Sequence, residues 1–126
     1  MTFKFGKKST ERLKECDLRL QTLCEKMLSR SDFDMTVTCG HRTKEEQEKA
    51  FNEGKSKAHF GQSKHNSYPS KAVDIVPYPI NWDTKDIRWW KMVALAYDTA
   101  RHLGIKIRCG AFFTGLADFP HIELED

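Results

Sequence analysis

The 126-residue chain lacks several features that would assign its class at once. No apolar run approaches the roughly 20 residues a membrane-spanning helix needs, so no stable membrane insertion is expected. The opening stretch MTFKFGKKSTERL has no apolar segment of the kind that defines a secretory signal, so synthesis in a cytoplasm without a signal peptide is expected. There is no C-x-x-C pair: Cys16, Cys24, Cys39 and Cys109 are widely spaced, and in a reducing compartment they read as thiols. There is no dense basic block either. The 21 Lys and Arg are interspersed with 18 Asp and Glu, giving a net charge of only +3. Mixed charge of this kind marks solvated faces. A nucleic-acid partner would want clustered cations with interleaved aromatics; IRWWK is the one local hint, and Trp89 and Trp90 read better as helix packing. Repeats and low-complexity segments are also missing.

What is present fits one α+β domain spanning residues 1–126. A chain of this size buries roughly two thirds of the surface its unfolded form exposes, so a core without disulfides is feasible. Leu13, Cys16, Leu20, Leu23, Cys24 and Met27 recur at helical spacing and predict one helix from residue 9 to about 30, capped by Ser9 or Thr10. DMTVTCG alternates as a short strand ending at Gly40. Thr43 and Glu46 form a capping box for a second helix, which Gly54 stops after Phe51. Residues 55–70 read as a loop and KAVDIV as a strand. A long helix is expected from about Thr84 to His102, burying Ile87, Trp90, Val93, Ala94, Tyr97 and Leu103. IKIRCG and FPHIEL are two further strands flanking an aromatic turn. The fold class is therefore α+β, with a small, mainly antiparallel sheet packed with helices.

One residue does not suit this pattern. Asp74 interrupts the apolar run Ala72, Val73, Ile75, Val76, where a buried carboxylate costs several kcal/mol, roughly, unless a charge or metal receives it. His65, in the preceding loop, and His121, at the start of the last strand, are candidate partners. Two imidazoles and one carboxylate suit a four-coordinate Zn²⁺ with one position left to water, a site at the sheet surface. Capping of a turn by Asp74, or pairing with Arg42 or Lys71, is the alternative. Asp118 precedes His121 by three positions, close enough to accept a proton from a metal's water; as a turn residue before proline it needs no such role. Arg42, at a strand-to-helix junction, could hold a substrate carboxylate or a developing oxyanion, or simply be a surface charge. His41 reads as a polar edge residue.

The ordered segments FGKKSTERL, CGHRTKEEQEKAFNEGKSK, SKHNSYPSKAVDIVPYP and DFPHIEL resemble the landmarks of a zinc-peptidase family. It comprises D-alanyl-D-alanine carboxypeptidases of the vancomycin-resistance type and the L-alanyl-D-glutamate endopeptidases that serve as phage endolysins. The resemblance runs from about Phe5 to Leu124 and is strongest to the endolysins. It implies zinc ligation by His65 (in S-x-H), Asp74 (in A-x-D) and His121. It also implies Asp118 as general base and Arg42 as the residue that stabilises the oxyanion or orients substrate, with Gln47 and Ser63 near the substrate cleft. Aspartate rather than glutamate at position 118 favours the endolysin branch. Eight residues separate His65 from Asp74, more than in many members, a length a loop absorbs for well under about 1 kcal/mol.

The function this implies is zinc-dependent hydrolysis of an amide in the stem peptide of bacterial peptidoglycan, with L-alanyl-D-glutamate as the expected bond. The protein would act as a monomer on the cell wall, in the periplasm, after the host membrane is permeabilised. D-alanyl-D-alanine carboxypeptidase activity is the alternative within the class. A non-catalytic zinc-containing binding module of the same fold is the alternative outside it, against which Asp118 argues.

Overall fold

The computed structural model describes residues 3–126. Met1 and Thr2, which begin both the stretch read for an export signal and the expected domain, lie outside the described residues. Four strands form one sheet in the order β1-β2-β4-β3. β1 (Asp34–Cys39), β2 (Ala72–Tyr78), β3 (Ile107–Cys109) and β4 (His121–Leu124) pair antiparallel throughout. α1 (Lys7–Lys14) and α2 (Leu18–Arg30) precede the sheet, α3 (Lys44–Asn52) follows β1, and α4 (Ile87–Leu103) joins β2 to β3. Short 3₁₀ turns at Lys64–Asn66 and Gly110–Phe112 lie just ahead of β2 and just after β3. No helix among the described residues is long and apolar enough to cross a membrane.

The α+β class and the antiparallel sheet are as expected; the first helix is not. Its apolar period continues unbroken through Leu13, Cys16 and Leu20, yet the helix divides at residues 15–17. There the chain pairs instead with the loop before β2: Asp17 N–H donates to the Ser70 carbonyl and Ser70 N–H to the Glu15 carbonyl, both at 2.8 Å. Asp17 then caps α2 by accepting from Arg19 N–H. Ser9 is not a cap. It is buried, and its hydroxyl accepts the Val37 N–H of β1 at 3.0 Å, while α1 starts from Gly6 without a side-chain cap.

The apolar faces of α2 and α4 and the sheet share one core. It includes Leu20, Leu23, Met27, Val37, Val73, Ile75, Trp89, Met92, Ile122 and Leu124. Each such large side chain contributes about 1.5–3 kcal/mol by leaving water. α4 starts at Ile87 with Asp86 as its cap, not near Thr84. Its buried stripe is Trp89, Met92, Val93, Ala96, Thr99 and Ala100, rotated from the expected one: Ile87 is 63% exposed and Trp90 42%, against 1% for Trp89. The reason is a polar anchor, since the Trp89 indole N–H donates to the Asn81 carbonyl at 2.8 Å. Trp90 packs on Phe112 and Phe119 at the rim.

Two pairings of the sheet bring polar residues from distant parts of the chain together. β2 and β4 are its inner strands, and in their register Asp74 sits directly across from His121. On the other side of β2, a register irregularity between Val37 and Cys39 sets Cys39 across from Asp74. Such a shift is a means of re-aiming side chains at a strand end.

Candidate metal centre

Asp74 and His121 meet because antiparallel cross-strand neighbours project on the same face. His65 reaches them from the 3₁₀ turn, whose start is fixed by Ser63: its hydroxyl accepts the His65 N–H at 3.2 Å. Asn66 returns the cap through its side chain, and Lys71 N–H ties back to the Lys64 carbonyl at 3.0 Å. The longer loop between His65 and Asp74 is thereby closed on itself, with Ser70 buried and bonded to the Ala72 backbone.

Three donor atoms converge. His65 Nε2 lies 3.2 Å from Asp74 Oδ1 and 3.2 Å from His121 Nδ1, and His121 Nδ1 lies 3.4 Å from Asp74 Oδ1. Four-coordinate metal sites with nitrogen and oxygen ligands at about 2.0–2.1 Å put neighbouring donors about 3.3 Å apart. The far nitrogen of each imidazole is engaged. His65 Nδ1 is 2.7 Å from the Gly40 carbonyl oxygen, and His121 Nε2 is 2.8 Å from Glu123 Oε1. Both acceptors demand an N–H, so in the neutral imidazoles His65 Nε2 and His121 Nδ1 carry the lone pairs that face Asp74. Lone pairs aimed at one point repel unless a proton or cation lies between them, so the donor set fits a divalent metal.

The electrostatics agree. Burial pulls the His65 imidazole down, but the charge and hydrogen bond of Asp74 outweigh it and raise His65 to about 10. His121 is raised as well, its burial opposed by hydrogen bonds to Asp74 and Glu123. Burial pushes Asp74 up, yet His65 and His121 hold it well below the usual carboxylate range. Without a metal the cluster thus retains protons that a cation would displace.

Asp118 stands just outside. Its Oδ2 is 4.0 Å from His121 Nδ1, and its side chain is 49% exposed. Burial and the nearby Asp74 charge raise it above the ordinary carboxylate range. Its position is set by Gly110, whose carbonyl accepts the Asp118 N–H at 2.8 Å. A Cβ at Gly110 would meet the Asp118 carbonyl oxygen at 2.3 Å and His121 Cβ at 2.9 Å, so the turn closes only over glycine.

Arg42 enters from the opposite side. Its N–H donates to the His65 carbonyl at 2.8 Å, its Nη1 donates to Gln47 Oε1 at 3.0 Å, and its Nη2 lies 3.8 Å from Asp74 Oδ2. Gln47, expected near the cleft, is fully buried behind Arg42. Its amide is spent on Arg42, Asn66, Ser56 and the Ala58 carbonyl, so it holds the guanidinium and the following loop together. Ser63 likewise spends its hydroxyl on the turn that carries His65. His41 bonds the Ser67 carbonyl oxygen and takes no part.

Sequence reasoning passed over Glu123 and Cys39. Glu123 had a signal, because it follows His121 by two positions on a strand and must share its face. Cys39 Sγ lies 3.8 Å from both His65 Nδ1 and Arg42 Nη2. Cys39, His65 and Asp74 are close enough to form a second potential ligand group. The His65 nitrogen beside Cys39 Sγ, Nδ1, is already engaged by the Gly40 carbonyl, so the set with His121 is the better fit.

Histidines and an aspartate converging on one face of a small antiparallel sheet, with a second carboxylate beside them, fit the centre of a metallopeptidase. The chain belongs to the phage L-alanyl-D-glutamate peptidase family, whose profile matches residues 1–124. It is 32% identical over 129 residues to the L-alanyl-D-glutamate peptidase of Escherichia phage T5, covering 99% of this chain and 91% of that protein. Its fold is that of the Serratia marcescens L-Ala D-Glu endopeptidase ChiX, with a TM-score of 0.82 at 24% identity over 98% of this chain and 90% of the other.

Proposed function

We propose that this protein is a zinc-dependent L-alanyl-D-glutamate endopeptidase that cleaves the stem peptide of bacterial peptidoglycan. The carrying observation is the mutual 3.2–3.4 Å spacing of His65 Nε2, Asp74 Oδ1 and His121 Nδ1, the spacing of a tetrahedral site with a corner to spare. Membership of the family, and similarity to the phage T5 peptidase along nearly the whole chain, support the choice of bond. Residues 1–126 form one catalytic domain, working as a monomer.

His65, Asp74 and His121 would hold the zinc; their mixed nitrogen and oxygen donors suit it, and a set of three protein ligands is that of a catalytic rather than a structural site. When bound, zinc supplies Lewis-acid chemistry, acidifying a water and polarising the scissile carbonyl. Asp118 is the general base. It takes a proton from the attacking water and delivers it to the leaving amine nitrogen, and its half-exposed position allows both transfers. Arg42, clamped by Gln47, presents its remaining N–H donors to the oxygen that gains charge as the carbonyl becomes tetrahedral. The enzyme meets its substrate at the cell wall, in the periplasm, once the membrane is permeabilised.

Mass spectrometry of fragments released from defined peptidoglycan tests this reading. New N-terminal D-glutamate and C-terminal L-alanine ends are expected. Release of free D-alanine alone would instead assign a carboxypeptidase, and no release would leave a binding module.

A further inference from the structure

His121 is oriented from behind by a charge pair that takes no part in the proposed proton transfers. Glu123 lies on an inner strand of the sheet, and its side chain is only 15% exposed. Its Oε1 lies 2.8 Å from His121 Nε2, and its Oε2 lies 3.4 Å from Lys64 Nζ. The Lys64 ammonium also donates to the Leu124 carbonyl, so it is tied to β4 at two points. Lys64 directly precedes His65 in the same 3₁₀ turn.

A partly buried ion pair is weak evidence for stability, because desolvation offsets much of the attraction. Its geometry is informative. A carboxylate has no proton to give, so Glu123 can only accept from His121, and this forces the Nε2–H tautomer. The lone pair of His121 is then on Nδ1, the atom that faces Asp74 and His65. Lys64 holds the second carboxylate oxygen and keeps Glu123 turned toward the back of the ring. The same three-residue turn therefore delivers one candidate ligand, His65, and fixes the orientation of another, His121, through Lys64 and Glu123.

We propose that Glu123 and Lys64 are positioning residues for the metal centre: Glu123 sets the tautomer and ring orientation of His121, and Lys64 sets Glu123. This rests on the reading of His65, Asp74 and His121 as the zinc ligands. Carboxylates in this position behind a ligating histidine typically contribute 10–100-fold in metal affinity.

The test uses the full chain and zinc alone, titrated against a chromophoric chelator, with ¹⁵N spectra of the His121 ring recorded in parallel. Glu123→Ala is expected to weaken zinc binding by about 10–100-fold and, in metal-free protein at alkaline pH where the ring is neutral, to bring the Nδ1–H tautomer into the spectrum. Glu123→Gln, whose amide oxygen still accepts from Nε2, is expected to recover most of that affinity, and it stands in for the alanine variant should the latter fail to fold. Lys64→Met is expected to produce a smaller loss that disappears in the Glu123→Ala background, because the proposed influence of Lys64 on His121 runs through Glu123. Wild-type affinity and an unchanged His121 tautomer in Glu123→Ala, or a Glu123→Gln protein as impaired as Glu123→Ala, would overturn the proposal while the zinc reading stands. A wild-type chain that binds no zinc would overturn both.

Discussion

The functional side chains divide into those that face the donor cluster and those that hold them. Asp118 belongs to the first group but not to the ligand set, since its oxygen is farther from His121 Nδ1 than Asp74 Oδ1 is, at 4.0 Å against 3.4 Å. Asp118→Asn is therefore expected to bind zinc as the parent does while losing at least about 10²-fold in wall-lytic rate. Zinc titration and a turbidity assay on purified walls check this together; a variant that digests walls at the parent rate would remove Asp118 from the chemistry. Of the residues the sequence singled out, His65, Asp74, His121, Asp118 and Arg42 do come together. Gln47 and Ser63 come close as well, but as supports with their polar atoms already committed. That distinction depends on where each hydrogen bond goes, which spacing along a chain does not encode.

At the level of helices and strands, legibility followed the locality of the signal. The capping box of α3 was plain, because Thr43 and Glu46 are three residues apart and satisfy one another. Thr43→Ala is expected to cost about 1 kcal/mol, read as a lowered urea midpoint. α3 also carries Gln47, so the same variant is expected to loosen Arg42 and reduce the rate of cleavage without changing zinc affinity. The break between α1 and α2 could not be seen, because the residues that cause it, Ser70 and its neighbours, are more than fifty positions away and act through the backbone. The rotation of α4 was hidden in a similar way: Trp89 and Trp90 are alike in hydropathy, and the reach of the Trp89 indole to the Asn81 carbonyl, which favours the inward place of Trp89, is not encoded in helical spacing. The meeting of Asp74 with His121 was expected from their residue types and from the resemblance, but the register of β2 against β4 that produces it was not legible.

Considered as a whole, the molecule couples its stability to the charge state of the donor cluster. In the metal-free protein His65 is raised to about 10 and His121 is raised too, so both hold protons more tightly folded than unfolded. The stability they contribute is complete below the ordinary histidine value of about 6.5; that of His65 is lost as pH rises toward 10, and that of His121 as pH rises through its own raised value. Asp74, depressed in the fold, contributes above the usual carboxylate range and loses its contribution only in acid. Zinc competes for the same atoms, so its binding releases protons and strengthens as pH rises. The increase in melting temperature on adding zinc is thus expected to be larger at pH 8.5 than at pH 6.5, by differential scanning fluorimetry. An increase that shrinks over that interval would mean the imidazoles are not the zinc ligands.

The convergence of His65, Asp74 and His121 on one cation is tested most directly by X-ray absorption at the zinc edge on the purified, zinc-loaded chain. One zinc per chain is expected, with two imidazole nitrogens, one carboxylate oxygen and one exchangeable light ligand. A shell closed by four protein side chains, with sulfur from Cys39 among them, or a chain that retains no zinc, would contradict it.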